Sequence, residues 1–147
     1  MFLLVFGVSG TAGNLLAGRL ADRFGPVRVI VTGSLGLAIV FLLIPSLRDS
    51  LPGAVAAVAL SGVFSFSLTT PQQHQLISRV NSGKISVVTA LYQSVLYIAI
   101  SFSGALGALV LRWGAAQRLP LIAAVVVLLA TATTLLQARS QVQGVSA

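Results

Sequence analysis

Five long apolar runs dominate this sequence and leave few ways for the chain to fold. The runs cover residues 2–20, 27–47, 51–70, 85–111 and 119–138, and away from their ends none contains Asp, Glu, Lys or Arg. A helix crosses the hydrocarbon core of a bilayer with about 20 residues, and a charged side chain at its centre costs about 2.5–3.5 kcal/mol on insertion scales. The pattern therefore predicts an all-α polytopic membrane helix bundle with about five transmembrane helices.

The composition points to the lipid bilayer as the partner of most of the surface. Of the residues, 56% are hydrophobic and only 7% are charged, whereas an average soluble domain has roughly a quarter charged residues. A chain with so few charges cannot cover a water-facing surface. Transmembrane strands are disfavoured because the runs do not alternate and five strands would not close a barrel.

Residue types needed for several kinds of chemistry are missing. The sequence has no Cys, one His and two acidic residues, which is too few for a metal cluster or a pair of catalytic carboxylates. We therefore expect no enzymatic activity, no metal and no cofactor. The net charge is +7, but the stripe of aromatic and basic residues typical of nucleic-acid binders is absent, so we expect no nucleic-acid partner.

Basic residues in the loops predict the orientation of the chain. Short cytoplasmic loops carry an excess of Lys and Arg. One side of the predicted bundle has six basic residues, and the other has three. The first set is Arg19, Arg23, Arg28, Arg79, Lys84 and Arg139, and the second is Arg48, Arg112 and Arg118. The chain is thus expected to begin outside and to end inside, as a multi-pass protein of the plasma (inner) membrane with a cytoplasmic C-terminus.

The connector between the first two runs carries the most specific signal, with the sequence GRLADRFGPVR over residues 18–28. Gly18 allows two helix ends to approach closely. Asp22 can accept hydrogen bonds from Arg or from the free amides of a helix N-terminus. Gly25 suits a tight turn, and Pro26 suits the first turn of the next helix. The arginines that anchor this connector at the membrane surface are Arg19, Arg23 and Arg28.

The connector resembles the cytoplasmic loop signature of the major facilitator superfamily. In that signature a Gly, three residues, Asp-Arg, one residue and a Gly precede basic residues, and the loop joins the second and third helices of each six-helix half. The alternative is that the connector is an ordinary positively charged loop between two membrane helices. Pro26 and Val27 stand where further basic residues are frequent, which is more typical of the copy in the second half. Residues 68–76, 90–94 and 103–110 also resemble helices 10 and 11 of drug- and sugar-efflux antiporters.

The resemblance implies a truncated transporter. Residues 1–139 would correspond to helices 8–12 of twelve, residues 140–147 would be a polar cytoplasmic tail, and the missing N-terminal half would be the main protein partner. The intact parent would export a small molecule of unknown identity by alternating access, coupled to protons. No run contains a carboxylate, so the proton-carrying acid would lie in the missing part, and this chain alone is not expected to transport. The alternative from another class is a non-transporting membrane scaffold or assembly partner.

Two sets of residues are candidates for the transport site. By the resemblance, the connector residues would take part in conformational gating, with Asp22 bracing the opposite half; they are Gly18, Arg19, Asp22, Arg23, Gly25 and Arg28. Polar groups at membrane depth usually face the bundle interior or a watery cavity. This predicts a substrate cavity lined by Asn14, Ser61, Ser65, Tyr92, Gln93 and Tyr97. For the serines the alternative is a hydrogen bond to a carbonyl of their own helix.

Two further expectations concern packing and local structure. Glycines recur at the spacing of helix interfaces, which predicts close helix packing; they are Gly7, Gly10 and Gly13, Gly33 and Gly36, and Gly104 and Gly107. Residues 71–79 are polar, and we interpret them as a helical extension or interfacial segment rather than a sixth span.

Overall fold

A computed structural model describes residues 1–78, 80–114 and 116–144, and this part of the chain is helical without a strand. The helices are α1 (Phe2–Phe24), α2 (Pro26–Leu47), α3 (Leu51–Ser67), α4 (Thr69–Ile77), α5 (Ile85–Arg112) and α6 (Leu119–Gly144). Short 3₁₀ turns at Ser82–Lys84 and Ala116–Arg118 lead into α5 and α6. Five helical stretches are long and apolar enough to cross a membrane. The predicted fold class is confirmed.

The third of these stretches combines α3 and α4 and runs from Leu51 to Ile77. It is interrupted at Leu68, where the backbone stays near helical values with φ −83° and ψ −29°. Pro71 explains the interruption, because proline has no N–H to donate to the carbonyl four residues before it. The polar segment after Pro71 is therefore a helical extension. Its last predicted residue, Arg79, lies outside the described residues.

Helix α6 is longer than the sequence suggested. It continues to Gly144, six residues past the predicted end of the span at residue 138, so the proposed tail begins as helix. Residues 145–147 of that tail lie outside the described residues.

A glycine turn separates α1 from α2. Gly25 has φ 86°, in the region where only glycine is free of strain, and its N–H donates to the carbonyl of Ala21 at 2.9 Å. Pro26 takes the first position of α2, where its missing N–H leaves no intrahelical bond unmade. The turn sends α2 back along α1.

Helix α2 is the centre of the bundle. It packs against α1, α3, α4 and α6. Most of the buried apolar side chains belong to it, namely Val29, Ile30, Leu37, Ala38 and Val40. From α6, Ala124 and Thr131 are buried. The hydroxyl of Thr131 donates to the Val127 carbonyl of its own helix at 2.8 Å. Thr131 can therefore be buried between α6 and α2 without an unpaired hydroxyl.

Helices α1 and α3 run parallel with their backbones in contact. Gly62 of α3 lies against Phe6 of α1, and Phe66 lies against Gly10, so the two helices advance in the same direction from one contact to the next. A Cβ added to Gly62 would lie 2.6 Å from the Phe6 carbonyl oxygen, and one added to Gly13 would lie 2.7 Å from the Val63 Cα. Real Cβ atoms do not approach this closely, so the contact depends on glycine.

Helix α5 lies at the edge of the bundle. None of its 28 residues is buried, and beyond the turn that precedes it α5 packs chiefly against α4. Among the described residues no helix packs against Gly104 or Gly107, because nothing lies within 4 Å of a Cβ built on either residue; the same holds for Gly7 on α1. The prediction was wrong there because glycine spacing does not show which helix faces have a neighbour.

We predict that Gly13→Ala destabilises the bundle by about 1–3 kcal/mol, the usual cost of overpacking. The added methyl group would meet the backbone of Val63, which cannot turn aside as a side chain can. A lowered midpoint of thermal unfolding in detergent would show this effect.

Gly7→Ala is the matched control on the same helix. Its methyl group would enter open space, and alanine favours a helix over glycine by up to about 1 kcal/mol. Equal destabilisation by the two variants would contradict the close contact between α1 and α3.

Candidate functional site: a polar layer around α4

Helix α4 is a polar element inside an otherwise apolar bundle. Its polar residues are Thr69, Thr70, Gln72, Gln73, His74 and Gln75. It contacts α1, α2, α3 and α5, and it is the principal link between α5 and the other helices. A polar helix with four neighbours brings hydrogen-bonding groups to each of those contacts.

The position of Thr70 fixes the depth of α4. Thr70 contacts Asn14 of α1, which lies ten residues before the end of α1 at Phe24. At 1.5 Å per residue, Thr70 is about 15 Å inside that end of the helix and about 9 Å inside Leu20, where the apolar run of α1 ends, so it lies within the hydrocarbon region. The side chains of α4 therefore begin near the middle of the spans and continue towards the connector between α1 and α2.

Asn14 is anchored to α4. The hydroxyl of Thr70 donates a hydrogen bond to Asn14 Oδ1, and both residues are half-buried. The sequence predicted Asn14 as a site residue but missed Thr70, because a threonine in an apolar run usually bonds to its own helix. The register between α1 and α3 places the two residues opposite each other.

Tyr92 is anchored to α4 from another direction. Its hydroxyl donates to Gln72 Oε1 at 3.3 Å. Gln72 was also missed as a site residue, and its signal was its position in the polar segment after Pro71. Two residues of helix correspond to about 200° of rotation, so Thr70 and Gln72 point to opposite sides of α4. Asn14 and Tyr92 thus hold α4 between them and do not meet.

The predicted serines share a face with Gln72. Ser61, Ser65 and Gln72 follow one another at spacings of four and seven residues along the nearly continuous helix formed by α3 and α4, which brings them to one side. Both serines are half-buried. The hydroxyl of nearby Ser67 donates to the Phe64 carbonyl at 2.8 Å, as in the alternative interpretation. Among the described residues the hydroxyls of Ser61 and Ser65 have no such bond, which leaves them available to a ligand.

Two of the predicted residues of α5, Gln93 and Tyr97, belong to an open stripe that also includes Ser101. Gln93, Tyr97 and Ser101 follow one another at spacings of four and lie on one face of α5. Gln93 is half-buried, whereas the side chain of Tyr97 is 66% exposed and Ser101 is also exposed. These residues form a wall with polar groups, and the described chain does not close a cavity in front of it.

The connector presents its charges outwards. Arg19, Asp22 and Arg28 are exposed, and the guanidinium of Arg23 lies 5.3 Å from the ring centroid of Phe24. Within the described residues Asp22 has no hydrogen-bond or salt-bridge partner. Nothing lies within 4 Å of a Cβ built on Gly18, so the close approach predicted there does not occur among the described helices.

These features define a multi-pass membrane protein whose spans carry polar groups at membrane depth, as transporters do. A family model described as Major Facilitator Superfamily matches residues 1–145. The chain therefore belongs to this superfamily of membrane transporters, which confirms the family expected from the connector. No solved structure matches the chain.

We predict that the Asn14–Thr70 hydrogen bond gives a measurable coupling energy. In a double-mutant cycle of Asn14→Leu and Thr70→Val, the coupling should be about 0.6 kcal/mol and no more than about 1.7, the range of interhelical hydrogen bonds in a membrane protein. The free energy of unfolding in mixed micelles is the quantity to measure.

The control cycle pairs Asn14→Leu with Thr131→Val. The Thr131 hydroxyl donates to the Val127 carbonyl of its own helix at 2.8 Å, and α6 packs against α2, so this distant pair should show no coupling. Equal coupling in the two cycles would show that the effect does not come from the hydrogen bond between Asn14 and Thr70.

Proposed function

We propose that this chain forms part of the C-terminal half-bundle of a secondary transporter that exports a small molecule by alternating access. Membership of the superfamily supports transport, and in that superfamily two half-bundles move around a site near the bilayer midplane. The partner of this chain in the proposal is the N-terminal half. The correspondence to helices 8–12 and the assignment to the drug- and sugar-efflux antiporters rest on the resemblance in residues 68–110.

The exposed polar stripe of α5 is the observation that carries this proposal. Polar side chains of membrane-spanning helices rarely face lipid, because hydrocarbon offers them no hydrogen-bond partner. Gln93, Tyr97 and Ser101 lie in a span of which no residue is buried by the described chain. Another protein surface or a water-filled cavity must therefore cover the stripe. A second half-bundle facing α5 across the transport pathway supplies both.

The polar wall favours recognition by hydrogen bonds. The candidate residues of this wall are Ser61, Ser65, Tyr92, Gln93 and Tyr97, with Gln72 added from the structure. Asn14, also a candidate, is bonded to Thr70 on the opposite side of α4. None of these side chains carries a charge at neutral pH. In the proposal this wall binds hydroxyl or amide groups of the substrate, and any charged contact comes from the other half.

Proton coupling is assigned to the other half for the same reason. The two carboxylates of the chain, Asp22 and Asp49, are exposed at ends of helices. A proton carrier in a transporter is usually an acid within a span. The acid that couples transport to protons thus lies outside this chain.

The connector is assigned to gating on the cytoplasmic side of the inner membrane, where the C-terminus also lies. The excess of basic residues on this side supports the orientation. Asp22 is exposed and free of partners among the described residues, so its carboxylate can brace a helix end of the opposite half when the cytoplasmic side is closed. The other members of this gate are Gly18, Arg19, Arg23, Gly25 and Arg28.

We predict that water reaches Tyr97 and not its neighbour Ile98. Their side chains are 66% and 68% exposed in this chain, so exposure alone does not distinguish them. The sequence has no Cys, so Tyr97→Cys and Ile98→Cys each carry one thiol. In native membranes containing the assembled transporter, a membrane-impermeant maleimide should label Cys at 97 at least about tenfold faster than Cys at 98. Equal labelling rates would contradict a cavity in front of the stripe.

The same labelling rate tests the proposed contact of Asp22 with a helix end of the opposite half. Removing a charge-assisted hydrogen bond costs about 1.5–3 kcal/mol and should depopulate the state that is closed to the cytoplasm. Asp22→Asn should therefore lower the rate at which Tyr97→Cys is labelled from outside by about tenfold or more. Asp49→Asn, at the opposite membrane surface, is the control and should leave the rate unchanged. An unchanged rate in Asp22→Asn would remove Asp22 from the gate.

A further inference from the structure

Two adjacent cavities lie between α1 and α2, and the second of them is beside the connector. One cavity of about 180 Å³ lies among α1, α2 and α3, and a second of about 330 Å³ lies between α1 and α2 nearer to the connector. Leu20, Val29 and Thr32 line both cavities, so the two adjoin, and we describe them together as one groove. The groove reaches Gly13 in the middle of α1.

The groove offers contacts suited to hydrocarbon. The hydroxyl of Thr32 donates to the Arg28 carbonyl at 2.9 Å and that of Ser67 donates within α3, so neither is free for a polar ligand. From Leu20, where the apolar run of α1 ends, to Gly13 the groove follows seven residues of helix, or about 10 Å. This stretch lies within the roughly 15 Å thickness of one leaflet of the hydrocarbon core, where a lipid acyl chain would run.

The end of the groove at the connector is cationic. Arg28 lines this end and is exposed. Phe24 also lines it, and the guanidinium of Arg23 lies 5.3 Å from the Phe24 ring centroid. Arg19 adds a third positive charge, and Asp22 is the only acid of the connector. Guanidinium groups bind phosphate with paired hydrogen bonds.

We propose that this groove binds an anionic phospholipid, with one acyl chain between α1 and α2 and the phosphate beside Arg28 and Arg23. The apolar lining selects hydrocarbon, and the excess of arginine selects a headgroup with net negative charge over a zwitterionic one. The site is separate from the polar wall at α4. It shares Arg23 and Arg28 with the proposed gate, but its test measures lipid retention and not transport.

Native mass spectrometry of the purified chain tests the site. Micelles would contain equal amounts of phosphatidylglycerol and phosphatidylcholine with identical acyl chains. The chain should retain phosphatidylglycerol preferentially, and Arg28→Gln should lower this retention about fivefold, the effect of one basic residue at an anionic surface. Arg28→Lys should keep most of the preference. Arg112→Gln, at the other end of the bundle, should retain phosphatidylglycerol as the unaltered chain does.

Two further experiments distinguish binding of the acyl chain from binding of the phosphate. Thr32→Phe places a ring in the groove and should lower retention of both lipids, with unchanged helix content by circular dichroism showing that it folds. An excess of glycerol 3-phosphate should not displace phosphatidylglycerol; displacement would show a site for free phosphate and overturn the proposal. Equal retention of the two lipids, or full retention of phosphatidylglycerol by Arg28→Gln, would also overturn it.

Discussion

The direct backbone contact between α1 and α3 is the constraint on which the other features depend. In a bilayer the hydrophobic effect does not drive helices together, so close packing of small residues has to do so. Gly13 and Gly62 let the backbones of these parallel helices meet, and Gly10 leaves room for the ring of Phe66. The register of this contact sets which residues of α3 and α4 lie at the same membrane depth as each residue of α1.

That register places the polar layer. By bringing Thr70 opposite Asn14, it holds α4 at membrane depth, where its glutamines would otherwise be unfavourable. Helix α4 in turn holds α5 through the contact of Gln72 with Tyr92. Since α5 has little other support, the polar layer both carries the candidate substrate contacts and connects the edge helix to the rest. Motion of α5 relative to α1 would pass through this layer.

The sequence predicted the spans and the family well because both depend on local patterns. Charge-free runs of about 20 residues identify a membrane helix without any knowledge of its neighbours, and the connector is a contiguous motif. The site was predicted only in part. Thr70 and Gln72 belong to the site because they form hydrogen bonds with residues 56 and 20 positions away in the sequence, and no local sequence pattern reveals such contacts. The misjudged packing of Gly104 and Gly107 has the same origin, because glycine spacing on a helix does not show whether another helix lies against it.

The parallel register of α1 with α3 and α4 can be measured directly, because the chain has no Cys of its own. Two cysteines form a disulfide only if their Cα atoms lie within about 7 Å. Oxidation of Asn14→Cys/Thr70→Cys in native membranes should give an intramolecular disulfide, whereas Leu15→Cys/Thr70→Cys should not, since Leu15 is 66% exposed on another face of α1. Failure of the first pair to cross-link, or equal cross-linking of both, would contradict the account.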